Sequence, residues 1–272
     1  MKKSFACFAA FIILSTPLLA QERVTANWND PSRPGLLKVN AVWGSISIKT
    51  HMTNDVTVEA KAARNRIDDR IIRRPAPPEA TGLRRIDSGG SPFTVESDSN
   101  NNVITVIGGD LLSGTGDLEI EVPQKANLNL QTKLGMVTVE SVEGDIEVTS
   151  LNGRIKLTNV AGSVVADSMN GTVEVSFQNI AEGKPMSFTS MNGNVDVTLP
   201  AASKANLKMR TALGGIYTDF DVQMAAAGTS PHDQGRPRGI RAGRNISGTI
   251  NGGGADFDLR SQNGNIYLRK AK

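Results

Sequence analysis

The sequence predicts an all-β protein, a β-solenoid or β-roll of stacked short strands. Three observations carry that prediction. Glycine recurs at a spacing of nine, at Gly135, Gly144, Gly153, Gly162 and Gly171. Two and four residues behind each glycine the chain is apolar: Val137 and Val139, Ile146 and Val148, Ile155 and Leu157, Val164 and Ala166, Val173 and Val175. The corners alternate between two types, Ser150-Leu151-Asn152-Gly153 and Ser168-Met169-Asn170-Gly171 against Val142-Glu143-Gly144 and Val160-Ala161-Gly162, so the longer unit is eighteen residues. A fixed short period marks a repeat architecture. One unit cannot bury its own apolar face, whereas stacked units cover one another.

Within a unit, residues two apart share a face of a strand, and their β-branched side chains suit one. A third apolar position follows seven residues behind the glycine, at Val142, Leu151, Val160 and Met169. On a straight strand it would point the other way, so the chain must turn there, with glycine and asparagine supplying the bend. The corner recurs at Ser190-Met191-Asn192-Gly193 and Ser261-Gln262-Asn263-Gly264. Gly171 to Gly193 and Gly193 to Gly215 are each 22 residues, so four added residues lengthen a corner in each. Gly135, Gly144, Gly153, Gly162, Gly171, Gly193, Gly215 and Gly264, with Asn152, Asn170, Asn192 and Asn263, are the structural repeat positions. A meander of antiparallel hairpins is the rival reading, because Asn-Gly between apolar alternations also marks a hairpin.

Taken in order, residues 1–20 read as a signal peptide: Met1-Lys2-Lys3, an apolar run from Phe5 to Leu14, and a cleavage point after Ala20. Retention as an anchor is the alternative, although the run falls short of the roughly 20 residues a membrane span needs. The single cysteine, Cys7, lies inside this segment, so the mature chain has no thiol or disulfide chemistry. Loss of Lys2 and Lys3 leaves 28 basic residues against 27 acidic, and charge makes no case for nucleic acid. The rest, residues 21–272, is read as one β-repeat domain.

Residues 21–60 are N-terminal strands, with Gly44-Ser45-Ile46-Ser47-Ile48 in phase with the repeat, and they are expected to cap the stack. Residues 62–92 are read as a surface insertion dense in arginine and proline, with Arg64, Arg66, Arg70, Arg73, Arg74, Arg84 and Arg85 around Pro75, Pro77 and Pro78. Residues 93–222 are the main array. Within it Lys125–Gly135 is echoed by Lys204–Gly214, 79 residues on. Residues 223–245 form a second basic loop with Arg236, Arg238, Arg241 and Arg244, and residues 246–272 return to strand and are expected to close the stack. The arginines of both loops are a possible anion-binding set for lipid head groups or lipopolysaccharide; a solvated loop is the plainer reading.

No reaction is specified. His51 and His232 are the only histidines and stand apart from any ligand cluster, so neither a metal site nor a histidine base for a serine nucleophile is indicated. Only Gly144-Asp145 resembles the aspartate pattern of calcium-binding nonapeptides, and no phosphate-binding glycine loop is present. No cofactor is expected. Polysaccharide cleavage is the one enzymatic alternative, with Asp145, Glu147, Glu174 and Asp196 facing outward. Against it, these carboxylates can pair along the ladder, as Lys156 would with Glu174 one coil away. Aromatic residues are 4% of the chain, which argues against carbohydrate and single-stranded nucleic-acid platforms.

The Ser-[Leu/Met]-Asn-Gly-x-[Ile/Val]-x-[Val/Leu] units, the Val-Pro-x-Lys-Ala-Asn-Leu lead-in and the signal peptide together resemble a bacterial β-strand-repeat family of candidate adhesins, a domain of unknown function. The resemblance is good from Leu118 to Leu268 and weaker from Leu36 to Ile107. It implies a non-catalytic protein exported to the periplasm or cell surface, acting as an adhesin-like interaction or scaffold module. The implied partner is an envelope protein or polymer, with anionic surfaces and self-association through the solenoid ends as further possibilities. The motif is structural and transfers no binding residue.

Overall fold

The computed structural model describes residues 23–30, 32–62, 93–98, 100–108, 116–224 and 244–272, and among these there are strands and no helix. In chain order the strands are β1 (Arg23–Asn27), β2 (Gly35–Trp43), β3 (Ile46–His51), β4 (Asp55–Ala62), β5 (Phe93–Asp98), β6 (Val103–Gly108) and β7 (Gly116–Pro123). Next come β8 (Ala126–Leu134), β9 (Val137–Glu140), β10 (Glu143–Asn152), β11 (Ile155–Ser168), β12 (Val173–Ile180), β13 (Met186–Ser190) and β14 (Val195–Leu199). The last six are β15 (Ala205–Thr211), β16 (Ile216–Thr218), β17 (Gln223–Met224), β18 (Arg244–Ile250), β19 (Ala255–Ser261) and β20 (Ile266–Lys270).

The result is β-solenoid-like. One face runs β6, β2, β8, β10, the second half of β11, β13, β19, β15, each strand parallel to the next. The other runs β7, β3, β9, the first half of β11, β12, β14, β20, β16, again all parallel. Among the described residues antiparallel pairs occur only at the two ends, β1–β4, β4–β7 and β5–β6 at one and β15–β18 and β17–β18 at the other. The hairpin meander is therefore excluded for the body of the stack. In its middle, paired residues lie eighteen apart, as Ile146 with Val164 and Ile155 with Val173.

Period-two alternation puts one side chain in two into the core. Leu118, Ile46, Val137, Ile155, Val173, Val195 and Ile266 form one buried column, each on the strand next to the last. Burial of each such side chain is worth about 1.5–3 kcal/mol, and because columns run the length of the stack, each rung's contribution depends on both neighbours. At the lengthened corner after β12, Phe177, Phe188 and Phe257 pack with centroids 6.0–6.3 Å apart.

The two corner types differ in where they send the third apolar residue. At one, Ser141 (φ 60°) and Asn159 (φ 56°) are left-handed, and the next residues, Val142 and Val160, turn fully into the core. At the other, Leu151 and Met169 point outward, 39% and 44% exposed. The single third position expected from the period is thus two positions with opposite destinations.

Stack order is not chain order. The coil β2–β3 lies between β6–β7 and β8–β9, and the coil β19–β20 lies between β13–β14 and β15–β16. Among the described residues the first and the last two-faced coil are each wedged one rung in from the end of the parallel stack. This corrects two expectations: of residues 21–60 only β1 and β4 lie at the end of the stack, and the final Ser261–Leu268 unit is an inner rung. The physical reason is that every rung offers the same backbone ladder and the same apolar columns. A rung step is only about 4.8 Å, so the two residues between β7 and β8, Gln124 and Lys125, and the five between β14 and β15, 200–204, suffice to carry the chain past one rung. The proposed insertion over 62–92 lies outside the described residues except Ala62, which ends β4, and the segment 1–20 lies outside them entirely. The loop over 223–245 is strand at both margins, Gln223–Met224 and Arg244–Asn245.

Candidate interaction surface

The outward corner that carries Leu151 and Met169 is built from three columns that follow stack order. The innermost is glycine. A Cβ on Gly44 would strike the carbonyl oxygen of Gly116, and the same holds for Gly135 on Gly44, Gly153 on Gly135, Gly171 on Gly153, Gly193 on Gly171, Gly264 on Gly193 and Gly214 on Gly264. Close approach of neighbouring backbones, and not turn conformation alone, is what demands glycine here. Gly144 and Gly162 form a shorter column at the other corner type, Gly162 against the carbonyl of Gly144. The sequence reading assigned Gly215 to the repeat; the ladder residue is Gly214, and Gly215 instead lies beneath the ring of Tyr217. The 22-residue interval from Gly193 to Gly215 is not a ladder step, because Gly193 is seated against Gly264, 71 residues away.

The second column is hydroxyl. Ser190 donates to the Gly171 carbonyl at 2.8 Å, Ser261 to Gly193 at 2.9 Å and Thr211 to Gly264 at 2.8 Å, each across one rung. The third is amide: Asn170 donates to Asn152 at 2.7 Å, Asn192 to Asn170 at 2.7 Å and Asn263 to Asn192 at 2.6 Å. A carboxamide both donates and accepts, so one residue type can continue the ladder indefinitely.

Outside these columns lies an apolar tract. Leu151, Met169 and Met191 follow one another up the corner, and Val42, with Ile107 beside it, lies on the far side of the Lys133 rung; the five apolar residues are each between 39% and 48% exposed. They line an open groove of ≈ 800 Å³, bordered on the sheet side by Asn40, Gln131, Thr149, Asp167 and Thr189. Scattered exposed apolar residues are ordinary on a protein surface, whereas a contiguous set rimmed by polar groups marks contact with something else.

The outward carboxylates are engaged. Asp145 accepts two hydrogen bonds from Lys184 at 2.8 and 2.9 Å, Glu147 accepts one from Asn129 at 2.8 Å, and Asp196 accepts from Arg269 at 2.9 Å. Glu174 faces Lys156 at 3.9 Å, the cross-coil pair expected from the sequence. These pairs are half exposed, so each contributes little to stability. His51 is not isolated: its ring bonds the Asp55 carbonyl and the Thr53 hydroxyl, both at 2.7 Å, in the turn before β4. The Thr53 hydroxyl in turn holds the Asp55 carboxyl below its usual range. Among the described residues no three His, Cys, Asp or Glu side chains gather as a metal site. Of the arginines proposed for anion binding, Arg64, Arg66, Arg70, Arg73, Arg74, Arg84, Arg85, Arg236, Arg238 and Arg241 lie outside the described residues. Arg244 is not in a loop; it is the exposed first residue of β18, opposite Thr211.

Two residues escaped the sequence reading. Tyr217 and Tyr267, the only tyrosines in the chain, stack with centroids 5.3 Å apart and rings inclined by 16°. Two tyrosines in 272 residues give no compositional signal. The usable signal was positional: each follows an isoleucine in the same phase, Gly215-Ile216-Tyr217 and Asn265-Ile266-Tyr267.

Parallel two-faced stacking, the glycine ladder and the absence of helix among the described residues define a β-solenoid-like repeat protein. Residues 37–269 match the Toastrack DUF4097 family, a family of unknown function, and the chain belongs to it. Among solved structures, the chain is similar in fold to a candidate cell adhesion protein from Clostridium sporogenes ATCC 15579, at 10% identity and a TM-score of 0.50, covering 92% of this chain and all of that one. No protein of curated function matched the chain.

Proposed function

We propose that the chain is a non-catalytic interaction module of the bacterial cell envelope, exported by its N-terminal segment, whose stacked rungs lie against an extended envelope polymer. The observation that carries this reading is the apolar tract Leu151, Met169 and Met191 on successive rungs, with Val42 beyond the intervening Lys133, rimmed by polar side chains. A repeating surface meets a repeating ligand many times over, and weak contacts then sum to useful avidity. The engagement of Asp145, Glu147, Glu174 and Asp196 with neighbouring side chains supports a binding role over hydrolysis, which needs a carboxyl pair free to act as acid and as base or nucleophile.

The test is co-sedimentation of residues 21–272 with isolated cell-envelope fractions, beside the double variant Met169→Lys, Met191→Lys. Both methionines are half exposed, so the variant keeps the fold. Wild type sediments with the envelope and the variant does so at least about fivefold less. Equal binding by both would remove the tract as the contact surface. Binding abolished by high salt and by replacing Arg64, Arg66, Arg70, Arg73, Arg74, Arg84 and Arg85 with Ser would transfer it to those arginines. Release of reducing ends from an envelope polysaccharide would overturn the non-catalytic reading.

A further inference from the structure

We infer that the stacked pair Tyr217–Tyr267 is a saccharide-binding platform at one end of the ladder. The inference rests on the interaction-module reading and names the ligand class. Follow one outward column along the second face: Ser47, Thr138, Lys156, Glu174, Asp196, Tyr267, Tyr217. It is small or charged until its last two rungs, where it becomes aromatic. Among the described residues β16 pairs with β20 alone, so Tyr217 is the last described rung of its column, and it is 54% exposed. The ring lies over Gly215, whose missing side chain makes room for it. A side chain at Gly215 would meet the Tyr217 hydroxyl and ring and displace it from its stack on Tyr267.

The rim of the platform is polar and fixed. Asn265 donates to the Tyr267 hydroxyl at 3.0 Å and accepts from the Gly215 amide at 2.8 Å. Arg269 lies 4.9 Å from the Tyr267 ring centroid and donates to both Asp196 oxygens, at 2.9 and 3.1 Å. The Tyr267 hydroxyl keeps its proton to donate, and no hydrogen bond to the Tyr217 hydroxyl is formed among the described residues. A flat apolar face edged by hydroxyls, an amide and a charged pair matches a pyranose ring, which has an apolar C–H face and a rim of hydroxyls. Asp196 and Asp219 flank the site, and Arg269 is already neutralised by Asp196, so a phosphate backbone is disfavoured and a neutral sugar is the better fit.

The test uses residues 21–272 and three probes, cellotetraose, maltotetraose and tetra-N-acetylchitotetraose, followed by saturation-transfer and two-dimensional NMR titration. At least one probe binds with Kd near ~1 mM or tighter, with transfer from tyrosine ring protons. Tyr217→Ala weakens that binding by about tenfold or more, the loss expected of a stacking platform, and Tyr217→Phe keeps it within about threefold. Thermal midpoints of both variants establish that the fold is intact. Failure of all three probes at ~10 mM overturns the proposal, as does equal binding by Tyr217→Ala. If Tyr217→Ala instead dissolves a dimer seen by light scattering, the platform joins two copies and the saccharide assignment falls. Should the probes fail while envelope fractions are still bound, the proposal falls and the interaction-module reading stands.

Discussion

Asn263 donates its side-chain amide to Asn192 across 2.6 Å, although 71 residues separate them in the chain. That one bond records the whole arrangement at this end of the molecule. The chain leaves the rung of Asn192, forms the edge rung β15–β16, and returns to fill the space between. The hydroxyl and glycine columns pass through the inserted rung to Thr211 and Gly214, and the amide column ends on it at Asn263, next to Leu213.

Gly153→Ala is expected to be costly for contact reasons alone, since its added methyl meets the Gly135 carbonyl and not a yielding side chain. Overpacking against backbone predicts a loss of about 2–3 kcal/mol, or a fall in Tm of roughly 5–10 °C for a domain of this size. Gly183→Ala is the contrasting case. Nothing lies within 4 Å of its position, yet its φ is +70°, so only the left-handed strain of about 1 kcal/mol applies. Urea unfolding of the two variants measures both.

Ser190 and Ser150 occupy equivalent buried positions, 1% exposed in each case, but only Ser190 has a partner. Its hydroxyl reaches the Gly171 carbonyl, while the Ser150 hydroxyl meets none. Ser190→Ala is expected to lose about 1 kcal/mol or more. Ser150→Ala removes an unsatisfied buried group and should be neutral or stabilising. The sign of the difference in denaturant midpoint decides.

Acid sensitivity should have a contribution from the β3–β4 turn. The Thr53 hydroxyl lowers the folded-state pKa of Asp55, His51 adding a smaller coulombic part. A carboxyl depressed on folding stabilises fully above its unfolded pKa, near ~3.9, and that stability is lost as pH falls through the folded value. Asp55→Asn should therefore shrink the stability difference between pH 6 and pH 3, leaving the neutral-to-alkaline limb parallel to wild type. Tm measured across that range tests the sign.

The phase of each coil was legible in the sequence, and its order in the stack was not. Glycine spacing and the two apolar positions behind each glycine place Ile146, Val148, Ile155 and Leu157 inside correctly, and register then puts Lys156 beside Glu174. All rungs share one pattern, however, so nothing local says which rung neighbours which. From that ambiguity follows the placing of the last unit at the end of the stack. The outward turn of Leu151 and Met169 was missed for a different reason. A linear period cannot distinguish a corner preceded by a left-handed residue, as at Ser141, from one that lacks it. The apolar tract is made of these residues, so the candidate surface was hidden by the same uncertainty.

Rung order can be read directly, because residues 21–272 contain no cysteine and any introduced pair is unambiguous. Adjacent parallel strands lie about 4.8 Å apart, within disulfide reach. Asn192→Cys with Asn263→Cys should close an intramolecular disulfide under mild oxidation, seen as a faster band on non-reducing gels. Asn192→Cys with Leu213→Cys, which spans two rungs here but would be adjacent in a stack that followed chain order, should not. Crosslinking of the second pair and failure of the first would contradict the wedged arrangement, and with it the columns that run from Asn192 through Asn263 and from Asp196 through Tyr267.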